Sequence, residues 1–171
     1  MSEPDRWIVV DGRRWRATDP ALAEPFRQAL VDQLMAARRG VAAARRANDR
    51  DAEARARRAV QDAKVALGER GEPWWEPTPE GVRARLASIV VTLAAQRGAD
   101  KTICPSDAAR AIGGEHWRDH LDDVRAVARE LARTGRIEVS QRGKALDPDE
   151  TWKGPIRIRT CEGPPGVPPS G

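Results

Sequence analysis

Two stretches near the N-terminus place apolar residues at helical spacing, which predicts two amphipathic helices. The first begins at Glu24-Pro25, and its apolar stripe consists of Phe26, Leu30, Leu34, Ala37, Val41 and Ala44. The second runs from about Asp51 to Leu67, and its stripe consists of Ala52, Ala56, Ala59 or Val60, Ala63 and Leu67. Asn48-Asp49 separates the two stretches, and the small side chains of the second stripe allow close axial approach. The pattern therefore predicts an antiparallel helical hairpin.

Before these helices, an alternation of period two marks two short strands. Trp7–Val10 and Arg13–Arg16 flank Asp11-Gly12, a pair that readily adopts the positive φ angles of a type I′ turn. Two strands alone are unstable in water. We therefore expect Trp7 and Trp15 to pack on a neighbouring element.

The second half of the chain opens with another amphipathic helix. Thr78 is a suitable N-cap, Pro79 fits the first helical position, and Gly98 ends the helix. Its apolar face consists of Val82, Leu86, Ile89 or Val90, and Leu93. The segment 101–104 that follows has room only for a small strand.

Two further helices and two strands complete this half. The second helix starts at Pro105 and is stopped by Gly113-Gly114, which indicates the turn of a helix-turn-helix. The third ends near Gly135, and its apolar face consists of Trp117, Leu121, Val124, Ala128 and Leu131. Residues 136–140 and 155–159 alternate with period two, and the side expected to face the helices consists of Ile137, Val139, Ile156 and Ile158. This order predicts a winged helix-turn-helix.

The predicted fold class is mainly α with small β-hairpins (α+β), an N-terminal helical hairpin joined to a C-terminal winged helix-turn-helix. The predicted parts are a β-hairpin and helical hairpin at 1–72, a Pro/Trp linker at 73–77, a winged-helix domain at 78–162 and a disordered Gly/Pro tail at 163–171. Each half is small, so we expect the halves to pack on each other. We expect Trp74 and Trp75 to lie in that contact, with a platform for stacked bases or a peptide as the alternative.

Several short motifs of the second half occur together in one family. They are Thr102–Arg110, Trp117-Arg118, Val124-Arg125, Gly135–Val139 and Gly154–Arg159. In these motifs the second half resembles a bacterial winged-helix family of unknown function, relatives of which are often labelled "biopolymer transporter Tol". The resemblance covers about half of the chain. It implies a winged-helix fold and supplies no site residues.

The hydropathy pattern argues against a membrane protein. The longest apolar run, Leu86 to Ala95, is about ten residues long and includes Ser88 and Thr92, against the roughly 18 needed to span a bilayer. The N-terminus shows no charged start followed by an apolar stretch and a cleavage site, so we expect a cytoplasmic protein. The transporter label does not fit this pattern.

Charge brings in a nucleic-acid hypothesis. The net charge is +4, and eight arginines face three carboxylates around the turn between the first two helices, a local excess of +5. We call this region, residues 38–58, the hairpin tip. Its arginines are Arg38, Arg39, Arg45, Arg46, Arg50, Arg55, Arg57 and Arg58, and its carboxylates are Asp49, Asp51 and Glu53.

A second basic surface is predicted on the third helix of the winged-helix domain, the element that would enter a DNA major groove. Its basic residues are Arg118, Arg125, Arg129 and Arg133, and the wing loop adds Arg142 and Lys144. Five carboxylates balance the helix, namely Glu115, Asp119, Asp122, Asp123 and Glu130. Phosphate binding depends on net positive charge, so we expect the hairpin tip to contribute more than this helix. The predicted nucleic-acid contacts are Arg38, Arg39, Arg45, Arg46, Arg57, Arg58, Arg118, Arg125, Arg129, Arg142 and Lys144.

Signals for catalysis or for a bound metal are weak. His116 and His120 have metal-ligand spacing on a helix, but the chain contains no other histidine to complete a site. Cys104 and Cys161 are expected to stay reduced, because a pair of cysteines without an export signal seldom forms a disulfide. We therefore predict no metal, no cofactor and no enzyme activity. The sequence favours a nucleic-acid-binding or regulatory module, and the alternative is a protein–protein adaptor that binds no nucleic acid.

Overall fold

Residues 3–163 are described by a computed structural model, in which helices are combined with two small antiparallel sheets. The first sheet is the predicted N-terminal β-hairpin, formed by β1 (Trp7–Val10) and β2 (Arg13–Arg16). Cα partners run from Trp7 opposite Arg16 to Val10 opposite Arg13. Asp11 and Gly12 have φ angles of 51° and 72°, as a type I′ turn requires. The hairpin and its turn are confirmed.

The predicted helical hairpin consists of α1 (Glu24–Arg46) and α2 (Arg50–Ala66). Asp49 caps α2, since its carboxylate accepts a hydrogen bond from the Ala52 N–H at 2.9 Å. The predicted stripes of both helices point inward. Their fully buried members are Leu30, Leu34, Ala37, Ala44, Ala52, Ala56, Ala63 and Leu67. Alanines at these positions leave room for the two helix axes to approach closely.

Three helices follow, α3 (Pro79–Arg97), α4 (Pro105–Gly113) and α5 (Leu121–Arg133). The Thr78 hydroxyl caps α3 by accepting from the Gly81 N–H at 3.1 Å, as predicted. The start predicted for the third helix is wrong, because Gly114–His120 forms a 3₁₀ segment before α5. Trp117 therefore lies outside the α-helix, and its ring is half-buried.

The second sheet has the strand order β4-β3-β5, with β3 (Ile137–Gln141) at its centre. It is completed by β4 (Lys144–Ala145) and β5 (Arg157–Thr160). The small strand predicted at 101–104 is reduced to a single bridge between Ile103 and Ile158. The predicted inner side chains Ile137, Val139, Ile156 and Ile158 are all buried. Between β4 and β5 the chain makes a long excursion that buries Trp152.

One hydrophobic cluster contains residues from both halves of the chain. Leu30, Leu34 and Leu67 belong to the same cluster as Leu86 and Ile89 of α3. Two ion pairs also join the halves. They are Arg85 to Asp19 at 2.7 Å and Arg136 to Asp62 at 2.7 Å.

The linker tryptophans contact the N-terminal part of the chain. The Trp74 indole N–H donates to the Ala17 carbonyl at 3.1 Å. The Trp75 ring meets the Trp7 ring edge-on, with the two centroids 5.9 Å apart. Trp7 thus obtains the neighbour expected for it, whereas Trp15, expected to pack in the same way, remains 45% exposed. The tail predicted to be disordered lies outside the described residues, apart from Gly163. No helix in the described range is both long and apolar enough to cross a membrane.

Candidate nucleic-acid interface

The hairpin tip is formed where α1 ends and α2 begins. Asn48 takes a φ angle of 53°, a left-handed conformation that asparagine tolerates, and this allows the chain to reverse direction within Ala47–Asp49. Because the buried stripes face the core, the arginines of both helices are directed outward. Those with exposed side chains are Arg38, Arg39, Arg45, Arg46, Arg50, Arg57 and Arg58, and Arg55 is half-buried.

Glu53 is the carboxylate that neutralises part of this charge. Its Oε1 atom accepts from Arg45 Nε at 3.0 Å and from Arg57 Nε at 2.8 Å. These hydrogen bonds, from Arg45 first, lower the pKa of Glu53 below its ordinary value of 4.5. Arg45 and Arg57 are thus already paired. Among residues 3–163, no ion pair or hydrogen bond occupies the side chains of Arg38, Arg39, Arg46, Arg50 and Arg55.

A shallow cavity lies between the tip and the C-terminal half. It measures about 250 Å³ and is bordered by Arg55 and Arg58 on α2 and by Arg136 after α5. Arg136 itself is engaged by two carboxylates, Asp62 at 2.7 Å and Glu162 at 2.9 Å. The cations available to a ligand at this cavity are therefore those of α2.

The arginines of α5 have a different role, because two of them hold the segment between β4 and β5. Arg125 donates to the carbonyls of Trp152 at 2.8 Å and Gly154 at 3.2 Å. The Arg129 guanidinium lies over the Trp152 ring, 4.2 Å from its centroid, and donates to the carbonyls of Pro148 and Glu150. Both side chains are half-buried. They are thus used inside the protein, although the sequence predicted an outward face.

The remaining predicted contacts lie on exposed positions of the second half. Arg118 is exposed and stacks on the Trp117 ring at 4.4 Å, and Arg110 approaches the same ring at 4.5 Å. Arg142 is exposed in the tight turn between β3 and β4, and Lys144, predicted to lie in the wing loop, is exposed at the start of β4. The structure therefore separates the predicted residues into a tip group and a dispersed second group.

Sequence reasoning missed a groove on the outer side of the helical hairpin. It measures about 340 Å³ and is lined by Arg38, Val41, Arg57, Val60, Gln61 and Arg70. Arg70 reaches it from beyond the end of α2, where its guanidinium donates to the Gln61 carbonyl oxygen at 2.5 Å. The i, i+4 spacing of Arg57 and Gln61 was a signal for one wall of the groove. No comparable sequence pattern indicated Arg70, because it reaches the groove only through a turn in which Gly68 has a φ angle of 81°.

The histidines and cysteines considered as candidate metal ligands or nucleophiles do not form a metal site among the described residues. His116 and His120 lie in the 3₁₀ segment, where side chains three residues apart are aligned, so their i, i+4 spacing does not place them together as it would on an α-helix. Among the described residues, no three potential ligands cluster as a metal site would require. Cys104 and Cys161 are both free thiols. Burial raises the pKa of the Cys161 thiol above its ordinary value, so this thiol is not an activated nucleophile.

The comparisons with known proteins concern the second half of the chain. Residues 83–161 match a family described as "Protein of unknown function (DUF3253)". The match extends from α3 to the residue after β5, and the hairpin tip lies outside it. That description names neither a winged helix nor a transporter. A comparison with curated proteins gives no match. The part of the chain from α3 to β5 is therefore similar to a family whose function is not established.

Proposed function

We propose that this is a non-catalytic nucleic-acid-binding or regulatory module of the bacterial cytoplasm, and that it contacts phosphates through the hairpin tip. The observation that carries the proposal is the contrast between two sets of arginines. Arg38, Arg39, Arg46, Arg50 and Arg55 have no ion-pair partner in the described part of the chain, whereas Arg125 and Arg129 are occupied by backbone carbonyls. A phosphate oxygen can thus bind tip arginines without displacing an existing partner.

The element order supports the winged-helix interpretation of the second half. Ile103 pairs with Ile158 of β5, β5 pairs with β3, and three helices precede β3. In this interpretation, α5 is the helix that would enter a major groove. Its arginines hold the segment 148–154, so we assign α5 a structural role and the tip the binding role.

Fluorescence anisotropy at several salt concentrations tests the proposal. The ligands are duplex DNA, single-stranded DNA and structured RNA, each with a fluorescent label. The tip variant combines Arg39→Gln, Arg46→Gln and Arg50→Gln, all at exposed positions. Each phosphate contact contributes roughly 0.9 to the slope of log affinity against log salt for duplex DNA, so the variant should lower that slope by about 2 to 3.

A matched control removes three exposed cations outside the predicted contacts, through Arg97→Gln, Lys101→Gln and Lys153→Gln. It makes the same change in net charge and should lower the slope much less. If the control loses as much as the tip variant, the charge acts without a defined site. If the wild-type protein binds none of the three ligands at low salt, the proposal is wrong.

One observation favours the alternative, a protein–protein adaptor. Ile8, Val9 and Val10 of β1 are large apolar residues with exposed side chains, and a two-stranded sheet has free edges. The adaptor alternative expects no salt-dependent binding to any nucleic acid. It also expects a purified partner to lose binding when Val9 is changed to Asp, while the tip variant binds that partner normally.

A further inference from the structure

Trp15 is an exposed tryptophan on the outer face of the N-terminal hairpin. Strand alternation places Trp7, Arg14 and Arg16 on one face and Trp15 on the other, opposite Ile8. The first face is used internally, because Trp7 contacts Trp75 and Arg16 donates to the Gly71 carbonyl at 2.8 Å. The Trp15 side remains 45% exposed. A ring of this size is thus available to a partner.

One cation lies near this ring, and a second lies on the same face of the hairpin. Lys64 Nζ of α2 lies 5.6 Å from the centroid of Trp15, and Arg13 is exposed on the same face of the hairpin. One carboxylate is also close, since Glu69 pairs with Lys64 at 3.6 Å. The surroundings of Trp15 therefore combine an aromatic face with a positive charge excess.

The cations continue from Trp15 toward the hairpin tip. Arg57, Gln61 and Lys64 follow one another at i, i+4 and i+7, so they lie on one side of α2. Arg57 and Gln61 also line the groove that contains Arg38 and Arg70. From Arg50 to Lys64 this side of α2 covers roughly 21 Å at 1.5 Å per residue. The tip, the groove and Trp15 thus form a continuous surface, which we call the basic stripe.

We propose that the basic stripe binds a single strand of nucleic acid, with phosphates along the cations and a base stacked on Trp15. This inference rests on the proposed function and names its ligand class. Bases in a duplex are stacked on each other, so an exposed aromatic ring has access to a base face only in a single strand. Arg13, Arg38 and Arg70 have no ion pair among residues 3–163 and can bind phosphates, whereas Arg57 and Lys64 are shared with Glu53 and Glu69. A neutral peptide would use the apolar residues and leave these cations without a role.

The test compares three labelled ligands of the same length, about 12 nucleotides. They are oligothymidylate, the same backbone with abasic sites, and a duplex. We expect the wild-type protein to prefer oligothymidylate over the abasic strand by about tenfold, the magnitude of one stacked base. Trp15→Ala should remove that preference. Its binding to the abasic strand and the duplex, and its salt slope, should not change.

Val9→Ala is the matched control, because Val9 is 71% exposed on the neighbouring strand and should not affect the base preference. Trp15→Leu keeps an apolar side chain, so it replaces Trp15→Ala as the test variant if Trp15→Ala perturbs the hairpin. The comparison of wild-type protein with base-containing and abasic strands needs no variant at all.

The outcomes separate this inference from the proposed function. If the wild-type protein binds both single strands equally well and with a steep salt slope, the stacking inference is wrong and phosphate binding stands. If Trp15→Ala and Trp15→Leu both keep the preference, stacking on Trp15 is likewise excluded. If no ligand binds, both proposals are wrong.

Discussion

The Arg129 guanidinium lies 4.2 Å from the centroid of the Trp152 ring and donates hydrogen bonds to two carbonyls of the same segment. Trp152 is buried, and its indole N–H donates to the Asp147 carbonyl at 2.7 Å. This arrangement fixes the excursion between β4 and β5 against α5. An arginine that the sequence placed on a DNA-binding face is thus part of the internal structure.

Arg129→Ala should therefore reduce stability. The lost hydrogen bonds and the cation–π contact together predict a decrease of about 2 to 3 kcal/mol in the free energy of unfolding. Urea denaturation followed by tryptophan fluorescence measures it. Arg142→Ala, at an exposed turn position, should stay within about 0.5 kcal/mol of the wild type. A fully stable Arg129→Ala protein that binds duplex DNA more weakly would return α5 to the role of a recognition helix.

Arg85→Met should be strongly destabilising. Arg85 and Asp19 form an ion pair at 2.7 Å with side chains only 14% and 7% exposed, so the variant leaves a buried carboxylate without its cation. The expected loss is about 3 to 5 kcal/mol. Arg83→Met is the matched control, because Arg83 is 60% exposed in its pair with Asp123, and such pairs contribute about 0 to 1 kcal/mol.

The same ion pair predicts cooperative unfolding of the two halves. Arg85 belongs to α3 and Asp19 to the N-terminal part, and the hydrophobic cluster contains residues of both. Differential scanning calorimetry should show one transition in the wild type, at a lower temperature in Arg85→Met and in Trp74→Ala. Two separate transitions in the wild type, with Trp74→Ala changing neither, would show that the halves fold independently.

Glu53→Gln should strengthen nucleic-acid binding. The substitution removes the carboxylate that holds Arg45 and Arg57, which raises the local excess of the tip from +5 to +6. The salt slope should rise by up to about one. Asp51→Asn makes the same change in charge at an exposed carboxylate of the tip. It therefore separates the effect of the added charge from the effect of releasing Arg45 and Arg57. An affinity gain no larger than that of Asp51→Asn would mean that release of the two arginines is irrelevant.

The pH dependence of nucleic-acid binding follows from the titration of Glu53. Hydrogen bonds from Arg45 and Arg57 hold the pKa of Glu53 below 4.5. Glu53 therefore contributes to stability above the pKa of the unfolded chain, and this contribution is lost as the pH falls through the lower folded pKa. In the wild-type protein, Glu53 releases Arg45 and Arg57 only when the pH falls below this folded pKa. The affinity gain of Glu53→Gln over the wild type should accordingly persist down to about pH 4.5, as anisotropy measurements at several pH values would show.

Local features of the chain were predictable because neighbouring residues determine them. The turn at Asp11-Gly12 and the cap at Thr78 depend on side chains and φ angles within three residues. The buried stripes of α1 and α2 follow from helical spacing alone. The start of α5 was not predictable from spacing, since Trp117 continues the apolar pattern in a 3₁₀ segment.

The sequence by itself determined the two hairpins, most of the helix boundaries, the inner side chains of α1, α2, β3 and β5, and the excess of positive charge at the hairpin tip. Only the tertiary structure decided which of those charges are available. Arg129 forms its contacts with Pro148, Glu150 and Trp152, which follow it in the chain by about 20 residues. Arg46, by contrast, has no ion-pair or hydrogen-bond partner among residues 3–163. Trp15 and Lys64 likewise come together only when β2 packs beside α2. Residues distant in the chain compete for each arginine and each ring face, and the outcome depends on three-dimensional distances that local spacing does not contain.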